Sequence, residues 1–336
     1  MTKKRLFPLV CNKRFWRGLN PEDYEIWIEQ LFQHYRTKGF PYFPFDDLTL
    51  DRELKKLVLF DYRKLIDHQN KTIRQSMHGL SWAWPFFPHS WEVRCGKQKT
   101  PWEVFNDDDL FKQVIRKRTQ IGDNMSDAGI RKILKIFSGA QSVSNFRPTA
   151  AACVYSIFCD RGDVVWDMCA GFGGRLLGAF LLDLNYIGTD PSSHTYRGLR
   201  LMAKKLGMDS QLWKIGSESY LPEAHSLDFC FTSPPYFDNE VYAQEETQSC
   251  IKYPNPNKWM DHFIGRTFFN CFIGLKPGKF MAINIADVRS FKDLEKQLCN
   301  KAQEIGFIWV DTWFLQLSRL GGTGYKTESI FIFQKP

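Results

Sequence analysis

The rhythm of apolar and polar positions changes about 145 residues into this chain. Before that point it is helical. The stretch PEDYEIWIEQLFQHYRTKGF, from Pro21, opens with a proline and acids. It sets Tyr24, Ile26, Ile28, Leu31 and Phe32 near one stripe and stops at Gly39. DRELKKLVLFDYRKLIDHQNKT, from Asp51, predicts a second helix, and DAGIRKILKIFSG, from Asp127, a third. Between the last two, MHGLSWAWPFFPHSWEVRCGKQKTPWEVF holds too much Trp, Phe and Pro for one regular element. Beyond residue 145, the runs DVVWDMC, LNYIGTD, SQLWKIG, LDFCFTS, GKFMAINIAD, GFIWVDTWF and SIFIFQK each read as a strand. Helical stretches such as GGRLLGAFLLD, HTYRGLRLMAKKLG and MDHFIGRTFFNCFIGLK separate most of them. Strands alternating with helices predict a Rossmann-like α/β fold, a mostly parallel seven-stranded sheet with helices on both faces. The expected domains are therefore residues 1–140, mostly helical, basic and aromatic-rich, and residues 141–336, the α/β domain.

Composition narrows the picture. Of 336 residues 43% are hydrophobic, enough for a sizeable core, and the formal net charge is +8. Residues 1–120 hold 22 Lys and Arg against 15 Asp and Glu, a balance of +7, so nearly the whole excess sits in the first third. A basic excess there permits a nucleic-acid partner. The nine cysteines are odd in number and show no C-x-x-C spacing, which argues for a reducing compartment and against a disulfide framework or zinc site. No metal is expected. No run approaches the roughly 18 to 20 apolar residues of a membrane span, so the expectation is a soluble cytoplasmic protein without a membrane partner.

The candidate chemistry lies at strand ends. The first α/β strand runs into Asp167-Met168-Cys169-Ala170-Gly171-Phe172-Gly173-Gly174 and then a helix. Glycines let the backbone turn and approach a ligand closely, and a Rossmann-type sheet holds its nucleotide-like ligand at this place. The spacing is neither G-x-G-x-x-G nor a Walker lysine loop. The second strand ends in Asp190, an acid placed to bind both ribose hydroxyls. The third puts Ser217 and Glu218 at its tip. These parts make a nucleoside site without a phosphate cradle.

The fourth strand ends in Thr232-Ser233-Pro234-Pro235-Tyr236. Two prolines cannot continue a ladder, since neither has an N–H. They stiffen a tip that offers the Ser233 hydroxyl, the Pro234 carbonyl and the flat face of Tyr236. Such parts suit one task. An exocyclic base amine is a poor nucleophile because its lone pair is delocalised into the ring. Acceptors on its two N–H bonds favour a more tetrahedral nitrogen and free that pair for attack on a methyl group. The ring stacks on a base flipped out of its helix, and catalysis is positioning plus electrostatics.

TSPPY resembles the catalytic motif of the amino-group DNA methyltransferases, which use S-adenosylmethionine to modify cytosine N4 or adenine N6. The resemblance extends from Asn145 to Lys335. NFRPTAAACVYSIF is similar to the family's segment before the first strand, DMCAGFGG to its cofactor loop, and LKPGKFMAINIADV and ESIFIFQK to its late strands. It implies a class I methyltransferase sheet with S-adenosyl-L-methionine as cofactor. It places Asp167, Ala170, Gly171, Phe172 and Gly173 on the methionine and ribose side, Asp190 on the ribose, Ser217 and Glu218 at the adenine, and Phe146 with Thr149 at the methionine end. It makes Ser233, Pro234, Pro235 and Tyr236 catalytic. A serine at the first motif position leans toward cytosine N4. DNA is the implied partner ahead of RNA. The alternatives are an RNA amino-methyltransferase, such as one acting on tRNA guanine N2, and an inactive methyltransferase-like nucleic-acid-binding protein.

Only about a hundred residues follow Tyr236, and the remaining strands use most of them. Target recognition is therefore expected before residue 140. Candidate contacts there are Lys13, Arg14, Arg17, Arg94, Lys97, Lys99, Arg116, Lys117 and Arg118, with Trp82, Trp84 and Trp91 for stacking. The loop after the tip carries Asp238, Glu240, Glu245 and Glu246, which repel phosphate unless they face away or bind a base edge.

Overall fold

The computed structural model describes residues 6–137, 139–242, 245–319 and 324–336. They form two compact units, one of Met1–Pro44 with Pro88–Val143 and one of Phe45–Phe87 with Ser144–Pro336. This corrects the expected boundary near residue 140, because residues 45–87 belong with the sheet. The physical reason is their packing. Ile73 is fully buried, Tyr62 accepts a bond from the Cys153 thiol at 3.3 Å, and the chain at Gly79 lies against Pro148.

The first unit is helical, as its pattern predicts. Pro21–Lys38 starts under an Asn20 cap that accepts from the Asp23 N–H at 2.8 Å, with Glu22 and Asp23 favouring the positive end of the helix. Asp108–Ile121 and Asp127–Ile136 follow under Asp107 and Ser126 caps. Trp27, Ile28, Leu31, Phe32, Phe111, Val114, Ile130 and Ile133 meet in one core. The second predicted helix is shorter than its pattern. It ends at Val58, and the rest of that stretch becomes a turn and two strands on the sheet edge.

In the second unit the elements in chain order are helix α1 (Asp47–Val58), strands β1 (Ile66–Asp67) and β2 (Thr72–Ile73), α2 (Pro148–Phe158), β3 (Val164–Asp167), α3 (Gly174–Leu181), β4 (Asn185–Thr189), α4 (Ser193–Leu206), β5 (Gln211–Trp213), β6 (Leu227–Thr232), α5 (Arg266–Gly274), β7 (Leu275–Ile285), α6 (Leu294–Ile305), β8 (Ile308–Arg319) and β9 (Tyr325–Gln334). Nine of the described strands form one sheet in the order β1-β2-β8-β9-β7-β6-β3-β4-β5. Strands β3 to β7 are mutually parallel, and β9 runs antiparallel between β7 and β8. The seven predicted strands are all present, in the mostly parallel Rossmann-like arrangement that was expected, with β1 and β2 added at one edge.

Alternation along β6 shows why this sheet is buried on both sides. Phe229 and Phe231 point at Tyr155 of α2, with ring centroids 6.1 and 5.6 Å away. Cys230 points the other way, into a core of Trp166, Met281, Ile283, Trp259, Phe268 and Leu298. The strand order reverses at β3 and β6, so their carboxyl ends flank the crevice where such sheets hold ligands.

Candidate active site

Three strand tips are tied together by backbone and side-chain bonds. The Asp167 carboxylate, fully buried at the end of β3, accepts from Arg175 Nε at 2.9 Å, Tyr186 Oη at 2.7 Å, Thr232 Oγ1 at 2.9 Å and the Cys169 N–H at 3.3 Å. Thr232, the last residue of β6, also accepts from the Cys169 N–H at 3.1 Å. Asp167 therefore fixes the loop of β3 to the tip of β6, and its oxygens are taken up internally. Burial, with the Asp167 and Asp190 carboxylates nearby, holds the Cys169 thiol far above its usual range.

The loop itself is shaped by close approach. Gly171 has φ +54°, a backbone conformation that side chains rarely adopt, and an added Cβ would lie in ordinary contact with the Cys169 carbonyl at 3.7 Å. Gly173 caps α3 in the left-handed region. Gly174 lies so near the Phe146 carbonyl that an added Cβ would fall 1.8 Å from it. Ala170 is buried, and Phe172 packs on Trp84 and Phe87. Phe146 meets Phe231 edge-on and lies under the Arg175 guanidinium, 5.3 Å from its ring centre. Thr149 is fully buried, 3.4 Å from the Ser76 hydroxyl, which in turn bonds His78 Nδ1 at 2.9 Å.

Asp190 faces this loop from β4. Its carboxylate accepts from the Gly171 N–H at 3.1 Å and the Ser192 N–H at 3.0 Å. Burial pushes the carboxyl up to about 7 against the pull of those two N–H groups. Ser217 bonds Thr267 at 2.8 Å, and Glu218 pairs with Lys252 at 2.7 Å, so both tip residues of β5 are held by the fold. Glycine loop, Asp190, Ser217 and Glu218 thus assemble at one edge, in the order read from the sequence.

The β6 tip is more open. Pro234 is buried, while Ser233, Pro235 and Tyr236 are half-buried. The Tyr236 phenol donates to Glu328 Oε2 on β9 at 3.3 Å. Burial and the Glu328 carboxylate push that phenol far up, with Ser233 opposing. Of the loop acids, Asp238 and Glu246 are exposed and Glu240 and Glu245 half-buried. Asp238 accepts from Ser290, Glu240 from the Tyr242 phenol, and Glu245 from the Ser193 N–H at 3.0 Å. Glu328 and Arg175 went unnoticed in the sequence. Arg175 is a lone charge in an apolar run, the signal for a charge with a specific task, whereas Glu328, two residues from Lys326, carries no such signal.

The expected recognition region needs correction. Trp82, Trp84 and Trp91 are 0%, 6% and 3% exposed, so they are core and not stacking platforms. Lys13 pairs with Asp123, Arg94 with Glu103, Lys99 with Asp107 and Arg116 with Glu25, and Arg118 is buried on Asn124. Arg14, Arg17, Lys97 and Lys117 have no ion pair among the described residues. Among those residues, no group of three or more His, Cys, Asp or Glu could hold a metal ion, and no helix is long and apolar enough to cross a membrane.

No family model and no curated protein matches the chain. Among solved structures it is similar to a SAM-dependent methyltransferase from Methanosarcina mazei, at 15% identity and TM-score 0.39 over 54% of this chain and 96% of that one. It is also similar to 1,6-didemethyltoxoflavin-N1-methyltransferase from Burkholderia thailandensis, at 14% identity and TM-score 0.41 over 55% and 76%. A methyltransferase from Pyrococcus furiosus gives 15% identity and TM-score 0.39 over 61% and 93%.

Proposed function

We propose that the sheet unit is an S-adenosylmethionine-dependent methyltransferase acting on the exocyclic amine of a nucleic-acid base, with DNA ahead of RNA and cytosine N4 ahead of adenine N6. One observation carries the reading. The Ser233–Tyr236 tip stands at the switch point beside the Gly171 and Asp190 loop, joined to it through Thr232 and Asp167.

The residues fit that cofactor. Gly171, with φ +54° and no side chain, lets the loop backbone approach a ligand closely. The Asp190 carboxylate spends one lone pair per oxygen on backbone N–H groups and keeps others for ribose hydroxyls. Ser217 and Glu218 would frame the adenine, Phe146 and Thr149 the methionine end. Asp167 acts through Arg175 and Thr232, positioning the loop. When bound, the cofactor supplies an electrophilic methyl group on a sulfonium. Ser233 and the Pro234 carbonyl accept from the two amine N–H bonds, and Tyr236 stacks on the base.

A second reading is guanine N2. Glu240 and Glu328 carboxyls stand beside Tyr236 and Tyr242, and guanine is the base whose edge presents adjacent N1–H and N2–H donors to a carboxylate. Transfer from tritiated S-adenosylmethionine to DNA and to RNA, followed by nucleoside mass spectrometry, tests both. Label on cytosine N4 or adenine N6 of DNA supports the first reading, and label on guanine N2 of RNA the second. Cofactor binding without transfer to either polymer rules out both.

A further inference from the structure

The last strand reaches the catalytic tip from the far side of the sheet. Because β9 is antiparallel, its start lies at the carboxyl edge of its parallel neighbours. Ser329 pairs with Ile285, the last residue of β7, and Glu328 is one residue nearer that edge. Glu328 stands at the head of an apolar run, half-buried, where a carboxylate costs free energy unless it is bonded. Its bond is to Tyr236.

We propose that Glu328 is a positioning residue for the acceptor, fixing the phenol and thereby the flat face of Tyr236. The proposal rests on the reading of Tyr236 as the stacking residue. Tyr236 follows two prolines, so its backbone is stiff, but its ring is free to turn unless its far end is held. Glu328 supplies that second hold. A neighbouring set completes the frame. Glu240 accepts from Tyr242, whose ring lies 6.0 Å from Phe172 in the glycine loop. Burial raises the proton affinity of both carboxyls. In Glu240 the Tyr242 bond opposes this and the nearby Glu328 adds to it, which places the two acids within electrostatic reach. Tyr236 thus stands beside a strand and a loop that each offer a carboxylate to a tyrosine phenol, and the Glu328 bond limits the turning of its ring before a base arrives.

The test is a cycle of Glu328→Ala, Glu328→Gln, Tyr236→Phe and the Glu328→Ala/Tyr236→Phe double variant. Each is assayed for kcat and KM of the nucleic acid, cofactor Kd by calorimetry, and thermal unfolding. Holding one side chain in place is worth about 0.5–1.5 kcal/mol, or roughly 2- to 12-fold. Glu328→Ala should raise the acceptor KM by about that factor, with kcat and cofactor Kd little changed. Glu328→Gln, which keeps an acceptor oxygen, should restore most of it. In the Tyr236→Phe background, removing Glu328 should add nothing. An unchanged KM in Glu328→Ala, an equal effect in both backgrounds, or a loss confined to kcat or cofactor affinity overturns the proposal while the methyltransferase reading stands. If the wild type binds cofactor but transfers nothing to DNA or RNA, the reading falls and the positioning role with it.

Discussion

The tips of β3 and β6 are neighbours in the sheet, yet they are built in opposite ways. At β3 one buried carboxylate, Asp167, takes four donors drawn from α3, β4, β6 and the loop itself. At β6 the backbone is stiffened by two prolines, but Ser233, Pro235 and Tyr236 are half-buried, and the Tyr236 phenol meets only Ser233 beside it and Glu328 at 3.3 Å among the described residues. The first tip is fixed in every direction. The second is fixed in its main chain and adjustable in its side chains. A site that holds one constant ligand and admits a polymeric one needs this division, since the constant ligand sets the geometry against which the other must move.

The largest effect should come from breaking the fixed tip. Asp167→Ala leaves the Arg175 guanidinium buried without its partner, a loss of about 3–5 kcal/mol. Urea unfolding should show it, and a midpoint near the wild type would mean the network is dispensable. At the adjustable tip, Ser233→Ala should lower kcat by about 100-fold, by analogy with the loss of one transition-state hydrogen bond, with unfolding and cofactor affinity unchanged. Single-turnover transfer reads this, and full activity would remove Ser233 from the chemistry.

Asp190 offers a pH test at the fixed side. Its pKa, raised to about 7, means that the free protein protonates it as pH falls through neutrality. Only the carboxylate accepts from both ribose hydroxyls, so cofactor affinity should be higher at pH 8 than at pH 6. Asp190→Ala should weaken binding at pH 8 by about 10- to 100-fold, since hydrogen bonds to charged groups contribute about 1.5–3 kcal/mol, and should flatten the profile. In the folded chain alone the sign is opposite. A raised carboxyl pKa favours the folded state most below pH 4, and that contribution is lost as pH climbs through 7. The smallest effect should come from the helical unit. Neutralising Arg14, Arg17, Lys97 or Lys117 should weaken nucleic-acid binding and reduce its salt slope by about one each, if these cations meet phosphate. Unchanged slopes would place the polymer elsewhere.

The strands of the sheet were readable because a doubly covered parallel sheet demands near-continuous apolar runs, and LDFCFT or FMAINI admits little else. The tip residues were readable because glycines, acids and prolines interrupt those runs. Residues 45–87 were not. Their strands are two residues long, too short for a period, and their place on β8 is set by long-range pairing of Thr72 and Ile73 with Phe314 and Leu315. The tryptophans misled for a related reason. Aromatics among prolines look the same whether they face a base or a core, and only the fold shows Trp82 buried against Phe86. Glu328 was invisible as a site residue because its neighbour Tyr236 lies 92 positions away.

The division of the chain between its units has a practical consequence. The backbone passes from one unit to the other after Pro44, after Phe87 and after Val143. No single cut separates them. A fragment begun at residue 141, the natural choice from the change in rhythm, would lose β1 and β2 and uncover the rim of β8, where unpaired N–H and C=O groups invite a second copy. Apolar side chains at Ile308, Trp309 and Val310, each about half exposed, lie along that same strand. Such a fragment would be sticky at its sheet edge, and one begun at residue 45 would keep β1 and β2 but strip residues 88–143 of Trp27, Ile28, Leu31 and Phe32, which share their core.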